Sequence, residues 1–419
     1  MTRPMLLRAY LGLTRALPWL LTRPARRAHA RLGCDPQRLP ERFGAGSLPR
    51  PDGKVIWMHA ASVGELISAL DLAADLQERT QAAILFTTMT QSAAQLAARR
   101  LPAGMAHQFV PTDTPAAVAR FLDHWRPDLA CFIESDLWPR LILQAHARAI
   151  PLALLNARPS SSRKKAPKTM GYLMSKFAKA TAQDEQTQNQ LLALGMPADR
   201  VLTTGDMKAA AAPLPFDPAE LQALRAKIGD RPVWLAASTH PGEEEIILKA
   251  HRAALTNLPD LLLILIPRHP ERAPQLSALL SQQGFAQSVR SHDQAIGAQT
   301  QVYLADTLGE TGLFFRATRL AFMGASFSDQ GGHNPFEPAQ LGAAVLHGPK
   351  VRNFAKDYAQ MDSLGAAQQV LNAEELAQTV PELIGSDKLA QMCAAGQTLM
   401  SHKAQIRPAI LAHLRDVLP

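Results

Sequence analysis

Along most of the chain, short apolar runs alternate with longer stretches whose apolar residues recur every three or four positions. These are the patterns of buried strands and amphipathic helices. The runs KVIWMH (54–59), AILFTT (83–88), LACFIE (129–134) and PLALLN (151–156) predict strands, with helices from Glu65 to Arg79 and over 91–100. A second series begins later: PVWLAAS (232–238), LLLILIP (261–267), QVYLAD (301–306), RLAFMGA (319–325) and AAVLHG (343–348). The alternation predicts an α/β fold with mainly parallel sheets. Between the series, the Ala- and Pro-rich AAAAPLPFDP (209–218) reads as a linker. The expectation is an α/β domain over 36–208 and another over 219–419, whose last helix can pack back on the first. Open parallel sheets bind ligands beyond the carboxyl ends of their strands, so a cleft between the domains is the expected site.

The first 35 residues break this pattern. Residues 5–21, MLLRAYLGLTRALPWLL, are apolar but interrupted by Arg8 and Arg15, which share a helical face, and by Pro18. A spanning helix wants about twenty apolar residues, and each central Arg costs roughly 2.5–3.5 kcal/mol. Trp19 and the cluster Arg23, Arg26, Arg27 and Arg31 then suit a helix lying on an anionic membrane surface. A cleaved signal peptide fits poorly, because the apolar run is interrupted and Arg-rich sequence follows it. An amphipathic helix packed on the protein's own surface is the alternative.

Charge changes the picture only there. The net charge is +8, yet residues 1–50 hold ten Arg and two acids, while the remainder has 34 basic and 34 acidic residues. The body therefore has no net field to recruit nucleic acid. With 47% hydrophobic residues in 419, the chain can build real cores. Cys34, Cys131 and Cys393 form no CxxC pair, which argues against a disulfide framework or zinc ribbon. Thirteen His include no HExxH, and GxxxxGK[ST], GxSxG and a GxGxxG after the first strand are all lacking.

Four constellations can carry chemistry. In HAASVGE (59–65), small residues follow a strand and Glu65 opens a helix. The helix dipole alone explains an acid there. As a general base Glu65 would need desolvation to offset that dipole. In IESDLWPR (133–140), Glu134 and Asp136 leave a strand, as caps or as catalysts. In GGHNPFEP (331–338), Asn334 as N-cap, Pro335 at N1 and Glu337 at N3 resemble a capping box, and such a helix start can also bind phosphate. A basic and polar set comes from TGDMK (204–208), ASTHPGEEE (237–245) and PRHPER (267–272).

As a set, WMHAASVGE (57–65), IESDLWP (133–139), NARPSSSR (156–163), TGDMK, ASTHPGEEE, PRHPER, DTLGET (306–311) and GGHNPFEPA (331–339) resemble the 3-deoxy-D-manno-octulosonic acid (Kdo) transferases of lipopolysaccharide synthesis, in the family's order. The basic start resembles that family's membrane-associated segment. The resemblance implies a GT-B fold, two Rossmann-like domains facing each other across a cleft. It also implies transfer of Kdo from CMP-Kdo to the lipid A precursor (lipid IVA), with inversion, at the cytoplasmic face of the inner membrane. No cofactor or metal is implied, since CMP-Kdo is a donor substrate. On that resemblance Glu65 is the base, Glu134 and Lys208 stabilise the transition state, and CMP is held by Arg268 and His269, by Gly309, Glu310 and Thr311, and by Asn334, Pro335, Phe336 and Glu337. Two departures stand out: NARPSSSRKK where the family usually has NARMSERS, and TGDMKAAA where it usually has TGN and KFD. The second places Asp206 two residues before Lys208 and puts that lysine's charge and aim in question. Rival readings are a GT-B enzyme using a UDP-sugar, a UDP-sugar 2-epimerase, and a membrane-peripheral nucleotide-binding scaffold.

Overall fold

The computed structural model describes residues 2–134, 137–210 and 213–419, which fall into two compact units, Met1–Ala211 with Lys403–Pro419, and Ala212–His402. Ala211 and Ala212, inside the expected linker, lie outside the described residues.

The first unit opens with helices α1 (Met5–Ala16) and α2 (Trp19–Arg31), parted at Leu17 and Pro18. Its sheet is formed by β1 (Val55–His59), β2 (Ala83–Thr88), β3 (Met105–Phe109), β4 (Leu129–Ile133), β5 (Leu152–Ala157), β6 (Lys179–Ala182) and β7 (Val201–Thr203). Between strands run α3 (Val63–Thr80), α4 (Gln91–Arg100), α5 (Pro115–Trp125), α6 (Pro139–Ala147), α7 (Ser161–Lys165), α8 (Pro167–Met174) and α9 (Glu185–Ala193). The strand order is β3-β2-β1-β4-β5-β6-β7, all parallel. Alternate residues of β1 serve opposite cores. Val55 and Trp57 pack on one face, where Trp57 meets Phe121 and Phe132 edge-on, and Ile56 and Met58 pack on the other.

The first residues are part of this unit rather than a separate segment. Leu7 is buried in the core, the Tyr10 hydroxyl donates to Asp113 at 2.7 Å, and Arg140 donates to the Thr14 hydroxyl at 2.7 Å. The other sides of α1 and α2 expose Met5, Leu6, Leu13 and Trp19. Among the described residues no helix is long and apolar enough to cross a membrane.

The second unit repeats the scheme with α10 (Pro218–Ile228), β8 (Val233–Thr239), α11 (Glu243–Ala254), β9 (Leu262–Pro267), α12 (Ala273–Gln282), β10 (Gln287–Val289) and β11 (Val302–Leu304). It continues through α13 (Thr311–Ala317), β12 (Leu320–Met323), α14 (Phe336–Gln340), β13 (Ala344–His347), α15 (Ala355–Ser363), β14 (Ala367–Gln369), α16 (Ala373–Leu383) and α17 (Asp387–Ala404). Its parallel sheet has the order β10-β11-β9-β8-β12-β13-β14. The described part of the expected linker is not free. The Leu214 carbonyl accepts from Arg316 at 2.8 Å, and the 214–215 backbone packs so close to Gly312 that a Cβ there would lie 2.4 Å from the Pro215 carbonyl. The closing helix α18 (Ile406–Leu414) belongs to the first unit. Its Ile406, Ile410 and Leu414 are buried in the first unit's core.

Candidate active site

In the first unit the chain order reverses between β1 and β4, the place where open α/β sheets leave a crevice at their carboxyl ends. Those two strands deliver Glu65 and Glu134. Ser62 caps α3, its Oγ accepting the Glu65 N–H at 3.4 Å. The Glu65 carboxylate folds back, accepting from the Ala61 N–H at 2.7 Å and from the Ser62 hydroxyl at 3.2 Å. The capping role open to an acid at this position is therefore realised. It does not exhaust the residue. Burial pushes the Glu65 carboxyl above the usual range, and the charge of Glu134 adds to this, against the lowering effect of the Ala61 N–H, His59 and Ser62. Desolvation thus outweighs the helix start, the condition a useful base at this place requires.

Glu134 sits at φ 62°, a left-handed turn that takes its side chain off the strand's alternation, while its N–H still donates to the Leu155 carbonyl at 2.8 Å. Its buried carboxylate is held on both oxygens, by Lys208 Nζ at 3.0 Å and Arg158 Nε at 2.9 Å. Lys208 runs past Gly64, where an added Cβ would lie 3.9 Å from its Cε. Glu65, Glu134 and Lys208 are thereby brought together. Asp206 does not take the lysine's charge. Its Oδ1 accepts from the Asn156 amide at 3.1 Å and from the Lys208 backbone N–H at 3.0 Å, and Asn156 in turn accepts from the Met207 N–H at 2.9 Å. Asp206 therefore shapes the turn that aims Lys208. Sequence reasoning singled out neither Arg158 nor Asn156. Both belong to NARPSSSR (156–163), one of the stretches that carry the resemblance but to which no role was given, at the exit of β5; Asn156 has φ 55°, a conformation Asn tolerates better than most residues. Asp136 lies outside the described residues.

In the second unit, Arg268 follows β9 and its N–H donates to the Thr239 carbonyl at 3.0 Å. Asn334 Oδ1 accepts from the Phe336 N–H at 3.1 Å, and its amide donates to Glu337 at 3.3 Å. The helix starts at Phe336, one residue beyond the expected place, because Asn334 bonds the second residue on and closes a turn first. It is also only five residues long, so its macrodipole is weak and an anion there would rely on single N–H groups and Arg268. Burial raises the Glu337 carboxyl, with Asn334 and Arg268 opposing. Two imidazoles outside the expected CMP residues complete this group. His240 and His333 stack with Nε2 atoms 3.0 Å apart, and His269 meets His240 edge-on at 5.8 Å. Burial, His240 and the Arg268 charge push His333 down to about 4, and burial also lowers His240.

The buried acids of ASTHPGEEE, Glu243 and Glu244, are structural. Glu243 accepts the N–H groups of Ala325 at 2.7 Å, Phe327 at 2.9 Å and His240 at 3.0 Å, tying the exits of β8 and β12. Glu244 is buried on Arg272 at 2.7 Å. Gly309 and Glu310 line a cavity of about 330 Å³ beside Phe216 and Glu220. Arg290 holds Glu310 at 2.7 Å and keeps its carboxyl low. Among the described residues no cluster of three His, Cys, Asp or Glu can hold a metal ion.

The family model of 3-deoxy-D-manno-octulosonic-acid transferase (kdotransferase) matches residues 37–211. A 3-deoxy-D-manno-octulosonic acid transferase of Haemophilus influenzae is 34% identical over 390 residues, 88% of this chain and 89% of that protein. The crystal structure of UDP-GlcNAc 2-epimerase from Neisseria meningitidis, 15% identical, has a TM-score of 0.56 and covers 87% of this chain and 100% of its own. That of a glycosyltransferase from Rickettsia africae, 12% identical, has a TM-score of 0.54 and covers 88% and 99%. At such identity the two structures speak for the fold alone, and the fold is GT-B. The sequence match carries the rest: the chain belongs to the 3-deoxy-D-manno-octulosonic acid transferase family of glycosyltransferases.

Proposed function

We propose that this protein transfers Kdo from CMP-Kdo to the lipid A precursor, lipid IVA, with inversion at the anomeric carbon. Glu65 takes the proton of the acceptor hydroxyl as that oxygen bonds to the anomeric carbon, and the bond to the CMP phosphate breaks. One observation carries this reading: a buried carboxyl at the β1–β4 switch point has its proton affinity raised by burial and by Glu134. Lys208, paired with Glu134, can turn towards charge developing during transfer. Arg268, His269 and the Asn334–Glu337 turn hold the CMP, and Arg268 meets the departing phosphate. Gly309 and Thr311 contribute backbone to the nucleotide site, while the Glu310 carboxylate, already committed to Arg290, orders that loop. No cofactor enters this scheme. The exposed apolar and Arg residues of α1 and α2 suit attachment to the cytoplasmic face of the inner membrane, where such an acceptor resides.

The test is product mass after incubation with CMP-Kdo and a tetraacylated lipid A precursor, beside Glu65→Ala. The expected result is a gain of one or more Kdo units, absent in the variant, with CMP affinity retained. Tight CMP binding without a mass gain would point to another acceptor. Stronger binding of UMP or UDP than of CMP would overturn the donor.

A further inference from the structure

Three imidazoles gather beside one arginine in the second unit. His240 follows β8, His269 follows β9 with Arg268, and His333 precedes α14. The proposed reaction uses His269 and Arg268 but gives His240 and His333 nothing to do. Yet both are held firmly in place. The His240 N–H donates to the Glu243 carboxylate at 3.0 Å, and its carbonyl accepts from the Glu243 N–H at 3.0 Å. The turn that carries His333 is clamped by the chain around α15. Asn353 donates through its amide to the Gln330 carbonyl at 2.7 Å and through its N–H to the Gly331 carbonyl at 2.9 Å, and the Tyr358 hydroxyl donates to the His333 carbonyl at 2.8 Å. The His240 and His333 rings lie nearly parallel, at 16°, with their Nε2 atoms 3.0 Å apart. At that separation one Nε2 donates and the other accepts. The accepting ring is therefore neutral, and the pair carries at most one positive charge, shared as a unit.

In the free protein the surroundings keep that charge off. Burial acts against it on both rings, and so do His269 and the Arg268 cation. The acids that face the pair are committed elsewhere. Glu243 also accepts from the Ala325 and Phe327 N–H groups, Glu244 is paired with Arg272, and Glu337 takes the Asn334 amide. Tyr358 keeps its proton, since burial raises it. The Arg268 guanidinium has no ion-pair partner among the described residues. A phosphodiester seated on it would cancel the charge that opposes protonation and add a negative charge that favours it.

We propose that the His240–His333 pair takes up one proton from solvent when the phosphodiester of the donor binds beside Arg268, so that the departing phosphate meets a second positive charge. This rests on the donor reading above and deepens it. The added cation is present only while the donor is bound, and it stabilises the charge that builds on the phosphate as the anomeric bond breaks.

The probe is the methyl ester of CMP, whose phosphodiester, like the donor's, does not titrate near neutral pH. The full-length protein is titrated with it calorimetrically at pH 6.5 in buffers of different ionisation enthalpy, and the slope of heat against that enthalpy counts the protons. The expected result is uptake of about half a proton or more per bound ester. Linkage sets the sign: a ligand that brings a proton binds less tightly as pH rises, so Kd should rise about threefold or more from pH 6 to pH 8. His333→Gln and His240→Gln should each abolish the uptake and flatten that dependence, while His402→Gln, exposed on α17, changes neither. A second reading needs no variant. The nitrogen-15 signals of the imidazoles in the wild-type protein should show both rings neutral when free and one cationic ring in the complex. Ester binding without uptake, or with both rings still neutral, overturns the inference and leaves the donor reading standing. Uptake that persists in both histidine variants puts the proton on another group, with Glu337 the nearest buried acid, and overturns the pair. Failure of the ester and of CMP to bind, with UMP or UDP bound instead, sinks the donor reading and this inference with it.

Discussion

Glu65 and Glu134 are both carboxylates at strand exits, yet their surroundings set them apart. Glu134 is neutralised by two cations, whereas Glu65 accepts only hydrogen bonds and feels the Glu134 charge. Such a difference in surroundings between two neighbouring acids is the usual basis for separate roles. The pairing predicts a coupling. Lys208→Met leaves the buried Glu134 with Arg158 alone, so more of its negative charge acts on Glu65. The Glu65 carboxyl then rises further. A base works when ionised, so activity climbs as pH rises through its pKa, and the acid limb of kcat/KM should move to higher pH in the variant. A pH–rate profile checks this, and an unmoved limb would mean that another group titrates. Asp206 invites the opposite expectation. Its Oδ1 makes both of its hydrogen bonds, and an asparagine oxygen accepts equally well. Asp206→Asn should keep kcat/KM within about threefold, while Asp206→Ala frees two donors at a cost of about 1–3 kcal/mol in urea unfolding.

At the scale of elements, the strands legible in the sequence are those buried on both faces. β1, β4, β5, β8 and β9 read as nearly continuous apolar runs because helices cover each side. β3 (MAHQF), β10 (QSV) and β14 (AQQ) escaped notice for the complementary reason. Each is a sheet edge, short and polar, and its place is fixed by the neighbour it pairs with. The acids at the exits of β1 and β4 could be read locally; Arg158 reaching Glu134 could not, since that contact depends on β5 lying beside β4. The same logic hides His251 on α11. Its Nδ1 accepts from Trp234 Nε1 at 3.2 Å and its Nε2 donates to the Gln301 carbonyl at 3.0 Å, so the ring is locked neutral. Burial pushes it down to about 4. A depressed pKa gives stability that is complete above the unfolded value near 6.5 and is lost as pH falls through 4. At pH 4 the loss through this group is about 3 kcal/mol at 1.36 kcal/mol per unit. Denaturant unfolding followed at Trp234 should show it, and in His251→Gln that part of the acid sensitivity should vanish. An equal acid loss in the variant would mean that another group is responsible.

At the scale of the whole molecule, the chain builds most of the first unit, then all of the second, and returns to finish the first with its last seventeen residues. The return is anchored in two ways. Ile410 and Leu414 are fully buried beside β1 and α3 residues, and Arg407 reaches Asp71 at 3.2 Å and Asp75 at 3.4 Å. A surface ion pair contributes little, so the apolar side chains should dominate. Removing a buried isoleucine typically costs 2–5 kcal/mol. Ile410→Ala should therefore weaken the first unit by about that amount, although the residue lies about 350 positions after β1. The tryptophans allow each unit to be followed separately. Four of the five, Trp19, Trp57, Trp125 and Trp138, belong to the first unit and Trp234 alone to the second. With fluorine-labelled tryptophan, the Trp57 and Trp125 resonances should lose their native signals at lower urea in Ile410→Ala, and Trp234 should keep its midpoint. The reverse pattern would mean that the closing helix stabilises the second unit, as chain order alone would have suggested. A common shift of all resonances would mean that the units unfold together and that the returning helix couples them.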